Sequence, residues 1–490
     1  YGYNLVAFPN IKYQKEDDAI ILRIVDAIDN ELKIDIKSEK GTKYFYKESQ
    51  YLKLYTQTEI ENTIKIVSSS TFNFHQKRGE LIHFTNGDSK KYLKDLLLEA
   101  LKHKNLEKEE YISRMEYEYD VICQMGYEDY FLVVQDYVNF AKNNDVLVGP
   151  GRGSAAGSLI SYLLGITEID PLKYGLQFER FLNLDRKTMP DIDIDFMDTR
   201  RDEVINYLRE KYGKDKVANI ITFSTILAKQ SLRDIGRIYN KPTRDIDLLS
   251  SRLKNYNLSL RDSYRKIDGF KQLIDSDKYY LDIVSLASKI ENLPRQSGLH
   301  AAGIVLNNTP LQRSLPVIKD FDNNYITQYE MDYLEEQGFL KMDLLGLRNL
   351  TIISNCVDLI NENHKDANID KFNVPFDFKE VYELISSNMT MGLFQLESSG
   401  MKNAIKQLKP SCFNDVVALL ALFRPGPMAS IPIYAKRKEG KEKPTYISDD
   451  LKDILKKTLN DDLSDTSDCE VVWEFSADEA QAVQEWCLEH

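Results

Sequence analysis

The chain has 490 residues, of which 42% are hydrophobic and 29% charged, a length that fits two or three globular domains. Its mean hydropathy is -0.42, and it has neither an apolar run of about 18 residues nor an N-terminal signal pattern, so we expect a soluble cytoplasmic protein. Five cysteines without a CxxC pair and six histidines without HxH or HExxH argue against a disulfide framework, a zinc cluster and a histidine-rich metal hydrolase.

The net charge of -13 is unevenly distributed along the chain. Residues 461–490 contain ten acidic residues and no Lys or Arg, so residues 1–460 carry 64 basic against 67 acidic side chains. A nearly neutral body does not exclude a nucleic-acid partner. Both tryptophans, Trp473 and Trp486, also fall in the last stretch, and we predict an acidic tail there with one short helix over Asp478 to Leu488.

The remaining elements follow from apolar periodicity. Short apolar runs at residues 4–8 and 19–28 are typical of a small mixed element, and recurrence every three or four residues from 90 to about 143 predicts amphipathic helices. We predict strands at residues 145–148, 190–196, 217–221, 303–306, 325–328 and 339–345, and helices at 158–164, 225–288 and after 349.

The stretch MPDIDIDF alternates acidic and apolar residues and therefore predicts a strand with Asp191, Asp193 and Asp195 on one face, neighbours being roughly 6.5 Å apart. Three like charges on one face indicate a cation, and carboxylate oxygens favour Mg²⁺ or Mn²⁺. A solvated acidic face on an edge strand is the alternative. An EF-hand is excluded, because Phe196 and Asp202 stand where that loop needs glycine and glutamate.

A second carboxylate lies in GFLKMDLLG, an apolar strand interrupted only by Lys341 and Asp343. Two residues apart, these side chains share one face of the strand. Charged groups in an apolar strand need partners. We expect Asp343 to bind the same cation as the first cluster and Lys341 to bind a phosphate. A local ion pair at a strand end is the alternative.

The third signal is the glycine-rich segment GPGRGSAAGS at residues 149–158. A strand, a glycine loop and a helix start would direct backbone N–H groups and the helix dipole at an anion, with Arg152, Ser154 and Ser158 as further donors. The segment lacks the Gly-Lys-Ser/Thr of a Walker loop. It does contain G-x-G-x-x-A, so a dinucleotide-binding fold is an alternative, but the pattern of residues 168–183 indicates turn and helix where a Rossmann unit requires a second strand.

Lys229, Arg233 and Arg237 recur every four residues in a predicted helix and therefore lie along one face. Such a row can follow a nucleic-acid backbone. A solvated helix face is equally consistent with the pattern, because Asp234 lies within the row.

A carboxylate cluster, a phosphate loop and a basic helix together indicate phosphoryl or nucleotidyl transfer. The resemblance then becomes specific. From residue 1 to about 459 the chain resembles the alpha subunit of bacterial DNA polymerase III, the C-family replicative polymerase. The motifs that carry this resemblance are GPGRGSAAGS, FERFLN (178–183), MPDIDIDF, ITFST (221–225), HAAGIV (300–305), KMDLLGLRNL (341–350), GLFQLES (392–398) and LFRPGP (422–427).

The resemblance implies an α+β multidomain fold with a polymerase-beta-like nucleotidyltransferase palm, an inserted helical thumb and partial helical fingers. It implies that Asp191, Asp193 and Asp343 are catalytic and bind two Mg²⁺ ions, Mn²⁺ being possible, with Asp195 structural. The groups implied to bind substrate phosphates are Gly153, Ser154, Arg152, Arg180 and Lys341. The implied domains are a remnant of the polymerase-and-histidinol-phosphatase (PHP) domain at 1–85, palm at 86–222 and 295–350, thumb at 223–294, fingers at 351–459 and the tail at 460–490.

The chain also departs from the family. The resemblance implies that only the last part of the PHP domain is present. Asn10 and Lys12 stand where an Asp and a His bind metal in some members, so we expect no exonuclease centre there. From the resemblance we also expect the fingers to stop near Leu459, without the regions that bind the sliding clamp and clamp loader in the full-length family. We therefore expect the isolated chain to be weakly active or inactive.

The function expected from these features is template-directed transfer of a nucleotide from a dNTP to the 3'-hydroxyl of a primer, with primer–template DNA as partner and no membrane. Two alternatives stay open. One is a non-catalytic fragment that binds primer–template. The other is a nucleotidyltransferase that acts on a different acceptor, which would not need the Lys229–Arg233–Arg237 face.

Overall fold

The computed structural model describes residues 4–35, 41–71, 79–185, 189–253, 258–364, 369–371 and 378–443. Contacts divide the described residues into two compact units, one drawn from the ranges 1–77 and 221–299 and the other from the ranges 78–220 and 300–490. Among the described helices, none is both long and apolar enough to cross a membrane. The tail predicted at 460–490, with its short helix, lies outside the described residues.

The described α-helices, in chain order, are α1 (Ala19–Asp29), α2 (Glu48–Leu54), α3 (Gln57–Ser69), α4 (Ser89–His103), α5 (Glu109–Met125), α6 (Glu128–Asn143), α7 (Leu159–Leu163), α8 (Arg201–Tyr212), α9 (Ala228–Ile238), α10 (Thr243–Arg252), α11 (Leu260–Lys266), α12 (Asp268–Ser276), α13 (Lys278–Ile290), α14 (Met331–Glu336), α15 (Arg348–Asn363), α16 (Lys379–Ser386), α17 (Ser399–Leu408), α18 (Phe413–Leu422) and α19 (Ile431–Lys438). The described strands are β1 (Asp193–Met197), β2 (Val217–Thr225), β3 (Pro294–Leu306), β4 (Val317–Lys319), β5 (Tyr325–Thr327) and β6 (Lys341–Leu347).

The strands form one mixed sheet in the order β1-β6-β3-β2-β5-β4. Strands β1 and β6 run parallel with Asp193 beside Asp343, and β3 runs antiparallel to β6 with Gly303 beside Asp343. Because β6 lies between two strands, a carboxylate at its start is surrounded by protein on both sides. This register places two acidic residues from segments 150 positions apart next to each other.

The second unit buries the apolar face of this sheet against helices α4 to α8. In β1, Ile194 and Phe196 are buried while Asp193 and Asp195 are only half-buried, which follows from the alternation of apolar and acidic residues. The Tyr137 ring on α6 packs against Phe196, with ring centroids 6.2 Å apart. The strand is therefore held on its apolar face, and its acidic face is left available for chemistry.

Helices α16 to α19 form a separate apolar cluster in the same unit, centred on Ile405 and Leu419. An ion pair links two of them, because Lys438 Nζ of α19, which is partly exposed, lies 2.7 Å from an oxygen of the buried Asp415 in α18. Asp415 also accepts hydrogen bonds from the Ser411 backbone N–H at 2.7 Å and the Ser411 hydroxyl at 2.8 Å.

The first unit has its own core, formed by α1 and helices α9 to α13. Ile24 from α1, Leu232 from α9 and Phe270 from α12 are fully buried in this core. The amphipathic pattern of α9 explains its position, because its apolar side faces this cluster while Arg233 and Arg237 stay exposed.

Several predicted elements differ from the structure. The strand predicted at residues 145–148 is reduced to one bridge between Val148 and Phe196, because Asp145 adopts a left-handed φ of 55° and a loop begins at Gly149. The strands predicted at 217–221 and 303–306 are longer than expected, and the three-residue strand β4 was not predicted, since so short a segment has no readable periodicity. Helix α7 and the helices of residues 90–143 and 225–288 are confirmed.

Candidate metal centre and phosphate loop

The structure brings Asp191, Asp193 and Asp343 together. One carboxylate oxygen from each lies within 4.8 Å of the other two. Asp193 and Asp343 are neighbours through the parallel pairing of β1 and β6, and Asp191 belongs to the segment that leads into β1. The accessibility of the three side chains is graded, with 57% of Asp191, 33% of Asp193 and 8% of Asp343 exposed. One side of the cluster is therefore open to a ligand from solvent.

Two cations offset part of this negative charge. Lys341 Nζ lies 2.9 Å from Asp343 and 3.8 Å from Asp191, while Arg152 lies 3.6 Å from Asp193 and 3.4 Å from Asp195. Two positive charges face four carboxylates, so the group as a whole stays negative. Burial, together with repulsion by Asp191 and Asp193, raises the pKa of Asp343 although Lys341 acts in the opposite direction.

The surroundings of Asp343 fit a divalent cation. Its Oδ1 atom is buried and has no hydrogen-bond partner among the described residues. Gly303 leaves room at this atom, since a Cβ at that position would lie 3.4 Å from Oδ1 and 2.8 Å from His300 Nδ1. Three carboxylates, one of them with a buried unpaired oxygen, form the all-oxygen donor set that Mg²⁺ and Mn²⁺ prefer.

The glycine-rich segment lies beside the aspartates. The Gly149 backbone N–H donates a 2.8 Å hydrogen bond to the Asp195 carbonyl oxygen, and a Cβ on Gly153 would lie 3.9 Å from an Asp193 oxygen. Gly151 and Gly153 have φ values of 112° and 64°, which side chains other than glycine seldom adopt. We call residues 153–157, which form a 3-10 turn, the phosphate loop.

Comparison with known proteins decides the family. Residues 90–346 match the model described as "Bacterial DNA polymerase III alpha NTPase domain", and residues 349–461 match the model described as "Bacterial DNA polymerase III alpha subunit finger domain". The chain belongs to the bacterial DNA polymerase III alpha family. The resemblance in the eight sequence motifs is thereby confirmed.

Individual relatives agree with this assignment. The DNA polymerase III subunit alpha of Staphylococcus aureus (strain Mu50 / ATCC 700699) is 42% identical over 464 residues, which cover 93% of this chain and 43% of the relative. The protein of the same name from Staphylococcus epidermidis (strain ATCC 12228 / FDA PCI 1200) is 42% identical over 455 residues, covering 91% of this chain and 42% of the relative. The chain thus spans about two fifths of the length of the curated relatives it matches.

The DNA polymerase III alpha motif that contains Arg180 packs against the phosphate loop. Arg180 is exposed on a 3-10 turn, Phe178–Arg180. A Cβ on Gly157 would lie 2.6 Å from the carbonyl oxygen of Gln177, so glycine is needed for this close approach. The structure therefore places Arg180, Arg152 and Ser154 on segments that are neighbours.

One expectation for the phosphate loop is wrong. The start of α7 and the Ser158 hydroxyl were expected to face an anion, but Ser158 is fully buried and donates a 2.8 Å hydrogen bond to Glu118. Glu118 also accepts from the backbone N–H groups of Leu159 and Ile160, both at 3.0 Å. The chain's own carboxylate thus occupies the positive end of this helix.

Sequence analysis missed Glu118, although a signal was present. Glu118 lies on the apolar face of α5, three residues from Met115 and Val121, which are both buried. A charged residue in a buried stripe needs a specific partner. The partner could not be named, because Ser158 is 40 residues away in sequence.

The basic row on α9 lies in the first unit and is only partly available. Arg237 lies 3.9 Å from Glu31 and 3.8 Å from Asp234, so its charge is shared with the chain's own carboxylates. Arg233 is exposed and Lys229 is half-buried. The predicted face therefore exists, with Arg233 and Arg237 exposed on it.

Proposed function

We propose that the chain carries the catalytic centre of a template-directed DNA polymerase, which transfers a nucleotide from a dNTP to the 3'-hydroxyl of a primer in DNA replication. The observation that carries the proposal is the cluster of Asp191, Asp193 and Asp343, in which a buried oxygen of Asp343 has no hydrogen-bond partner within the described part of the chain. Membership of the DNA polymerase III alpha family supports it.

Asp191, Asp193 and Asp343 would hold two Mg²⁺ ions. Bound there, the ions would supply charge stabilisation at the attacking and leaving oxygens of an in-line displacement. The protein contributes the positions of Asp193 and Asp343, which the β1–β6 register sets, and that of Asp191, which lies in the segment leading into β1. Lys341 keeps Asp343 and Asp191 from repelling each other fully, since it lies within 4 Å of both.

We place the triphosphate of the incoming nucleotide on the phosphate loop, at Gly153 and Ser154, with Arg152, Arg180 and Lys341 as the neighbouring cations. The proximity of Gly153 to Asp193 supports this placement, because the reacting phosphate must reach the aspartates. The helix dipole of α7 takes no part in the proposal, since Glu118 occupies that helix end.

In this proposal the primer–template lies along Lys229, Arg233 and Arg237, which would contact the DNA backbone rather than the bases. The proposed domains keep the ranges expected from the resemblance. These are a PHP remnant at 1–85, palm at 86–222 and 295–350, thumb at 223–294, partial fingers at 351–459 and an acidic tail at 460–490.

A single-turnover primer-extension assay tests the proposal. Excess chain is mixed with a labelled primer–template and dNTPs, with Mg²⁺ or with EDTA, and the Asp193→Asn variant is compared with wild type. The matched control is Asp136→Asn, which removes a carboxylate of the same unit that accepts hydrogen bonds from Tyr207 and Tyr212 away from the cluster.

Mg²⁺-dependent extension by wild type and the control, with at least about a hundredfold loss in the Asp193 variant, would support the proposal. Because the isolated chain is expected to be weakly active at best, the reaction is followed long enough for slow extension to accumulate. Wild type that binds primer–template and still forms no extended product would support the non-catalytic alternative and overturn the proposal. Nucleotide transfer to an acceptor other than a paired primer would support the alternative of a nucleotidyltransferase that acts on a different acceptor.

A further inference from the structure

Glu118 is a buried charge of the second unit that the proposed chemistry does not use. Its side chain is fully buried. Oε1 accepts from Leu159 N at 3.0 Å and from Arg114 Nε at 2.7 Å, while Oε2 accepts from the Ser158 hydroxyl at 2.8 Å and from Ile160 N at 3.0 Å. Each carboxylate oxygen therefore accepts two hydrogen bonds from protein donors.

Arg114 extends this network to the loop itself. Its Nη2 atom donates to the Gly157 carbonyl at 3.1 Å and to the Leu176 carbonyl at 3.2 Å. Gly157 is the last residue of the phosphate loop, and Leu176 precedes the turn that carries Arg180. One guanidinium thus joins the loop and the turn.

A third contact comes from the same side of α5. The Tyr117 ring packs edge-to-face against Phe178, with ring centroids 6.1 Å apart. Arg114, Tyr117 and Glu118 lie at positions i, i+3 and i+4, which form one face of a helix. This face of α5 contacts both segments to which we assign the nucleotide's phosphates.

Stabilising α7 alone would not require a buried carboxylate. The helix has five residues, and the Ser158 hydroxyl already caps it by accepting from Ser161 N at 3.1 Å. A buried ion pair is seldom more stabilising than apolar residues of the same size. A need to hold the phosphate loop in a fixed position explains the buried ion pair better, because small displacements in an active site reduce rates strongly.

We propose that Glu118, acting through Arg114 and Ser158, is a positioning residue that fixes the phosphate loop relative to the aspartates. The loop is held at its far end by this network and near its start by the hydrogen bond from Gly149 to Asp195. The proposal rests on the proposed function, in that it takes the loop to bind the triphosphate of a dNTP.

The test uses Glu118→Gln in the complete chain. Gln keeps the size of the side chain but replaces one acceptor oxygen with a donor, which faces donors from Arg114 and the α7 backbone. Asp129→Asn is the matched control, because Asp129 is a largely buried carboxylate of the same unit that accepts from Phe84 N at 3.0 Å and the Ser89 hydroxyl at 2.5 Å.

Three quantities are measured for each protein. The first is the Kd for dATP with Mg²⁺ and a dideoxy-terminated primer–template that has thymine as the next template base. The second is Mn²⁺ binding by electron paramagnetic resonance. The third is hydrogen exchange at Leu159 and Ile160, whose N–H groups bond to Glu118.

We expect Glu118→Gln to raise the dATP Kd at least about tenfold, to speed exchange at both amides and to leave Mn²⁺ binding within about twofold of wild type. Asp129→Asn should leave the dATP Kd unchanged even if it melts earlier. If Glu118→Gln does not fold, Ser158→Ala, which keeps the carboxylate, should raise the Kd about two- to threefold.

Faster amide exchange with an unchanged dATP Kd would overturn the positioning role alone. An equal rise in Kd in the Asp129 control would also overturn it, since general destabilisation would then explain the effect. Failure of wild type to bind dATP would overturn both this role and the proposed function.

Discussion

Replacement of Asp343 by Asn tests whether this residue acts as a metal ligand or as one half of a structural ion pair with Lys341. The relevant forces nearly cancel in the metal-free protein. At an effective dielectric constant of about 20, each of two carboxylates within 4.8 Å of Asp343 opposes its charge by about 3.5 kcal/mol or more. Lys341 at 2.9 Å favours the charge by about 6 kcal/mol on the same scale. Burial adds a further penalty.

We therefore expect metal-free Asp343→Asn to be as stable as wild type or more stable. The assay is urea unfolding in EDTA, and hydrogen exchange of the β1 and β6 amides monitors the unfolding. With Mg²⁺ at a hundred times its Kd, wild type should gain about 2.7 kcal/mol, while the variant should gain less than about 1 kcal/mol.

The pH dependence has a defined sign. Because folding raises the pKa of Asp343, the native metal-free chain binds a proton at this carboxylate more readily than the unfolded chain does. The charged carboxylate therefore destabilises the fold at neutral pH, and this effect decreases as the pH falls through the raised pKa. The stability difference between variant and wild type should therefore shrink in acid.

A different result would refute this reasoning. Loss of about 3 kcal/mol or more in EDTA, the effect typical of breaking a buried ion pair, would identify Asp343 and Lys341 as a structural pair. Full stabilisation of the variant by Mg²⁺ would show that Asp343 is not a ligand.

Three further predictions concern the loop, the last helices and the basic face. Gly157→Ala should cost about 1 to 3 kcal/mol and weaken dATP binding, because the new Cβ would lie 2.6 Å from a backbone oxygen of the neighbouring turn. Asp415→Asn should cost about 1 to 3 kcal/mol near neutral pH, because Lys438 loses its charged partner and keeps only the carbonyl oxygens of Leu408 and Lys409 as acceptors. Bonds from Lys438 hold the pKa of Asp415 below its usual value despite burial, so this difference should vanish as the pH falls through that lowered pKa. Arg233→Ala should reduce the salt slope of primer–template binding by about one unit, and Arg237→Ala by less, because intramolecular carboxylates share its charge.

Each of these has a clear contrary outcome. For the loop, the control is Gly87→Ala, whose Cβ would have no neighbour closer than 3.7 Å, and equal effects of the two changes would contradict the steric argument. For Asp415, the free energy of unfolding is measured by hydrogen exchange of α18. An unchanged value in the variant would show that Asp415 does not stabilise these helices. For α9, salt slopes that do not change would return the row to a solvated face.

The sequence predicted the part of the site that local pattern determines. Alternation in MPDIDIDF predicted β1 with its acidic face, although the strand begins at Asp193 and not at residue 190. The charged pair in GFLKMDLLG marked Asp343. Only the fold could show that Asp193 and Asp343 are neighbours, since strand register depends on pairing between distant segments.

The errors have the same origin. The start of α7 has the glycines and serine of an anion site, yet its donors are used by Glu118 from α5. The strand expected at residues 145–148 had apolar residues, but only the bridge at Val148 pairs them with β1. Both depended on tertiary partners, which apolar periodicity cannot identify.

Mn²⁺ binding by electron paramagnetic resonance tests the central claim most directly. Asn substitutions at Asp191, Asp193 and Asp343 are compared with Asp195→Asn, which removes a neighbouring carboxylate that pairs with Arg152. The account predicts that wild type binds Mn²⁺ in competition with Mg²⁺, that each of the first three variants loses this binding, and that the Asp195 variant retains most of it. Undiminished Mn²⁺ binding by any of the first three variants would contradict the assignment of the metal centre.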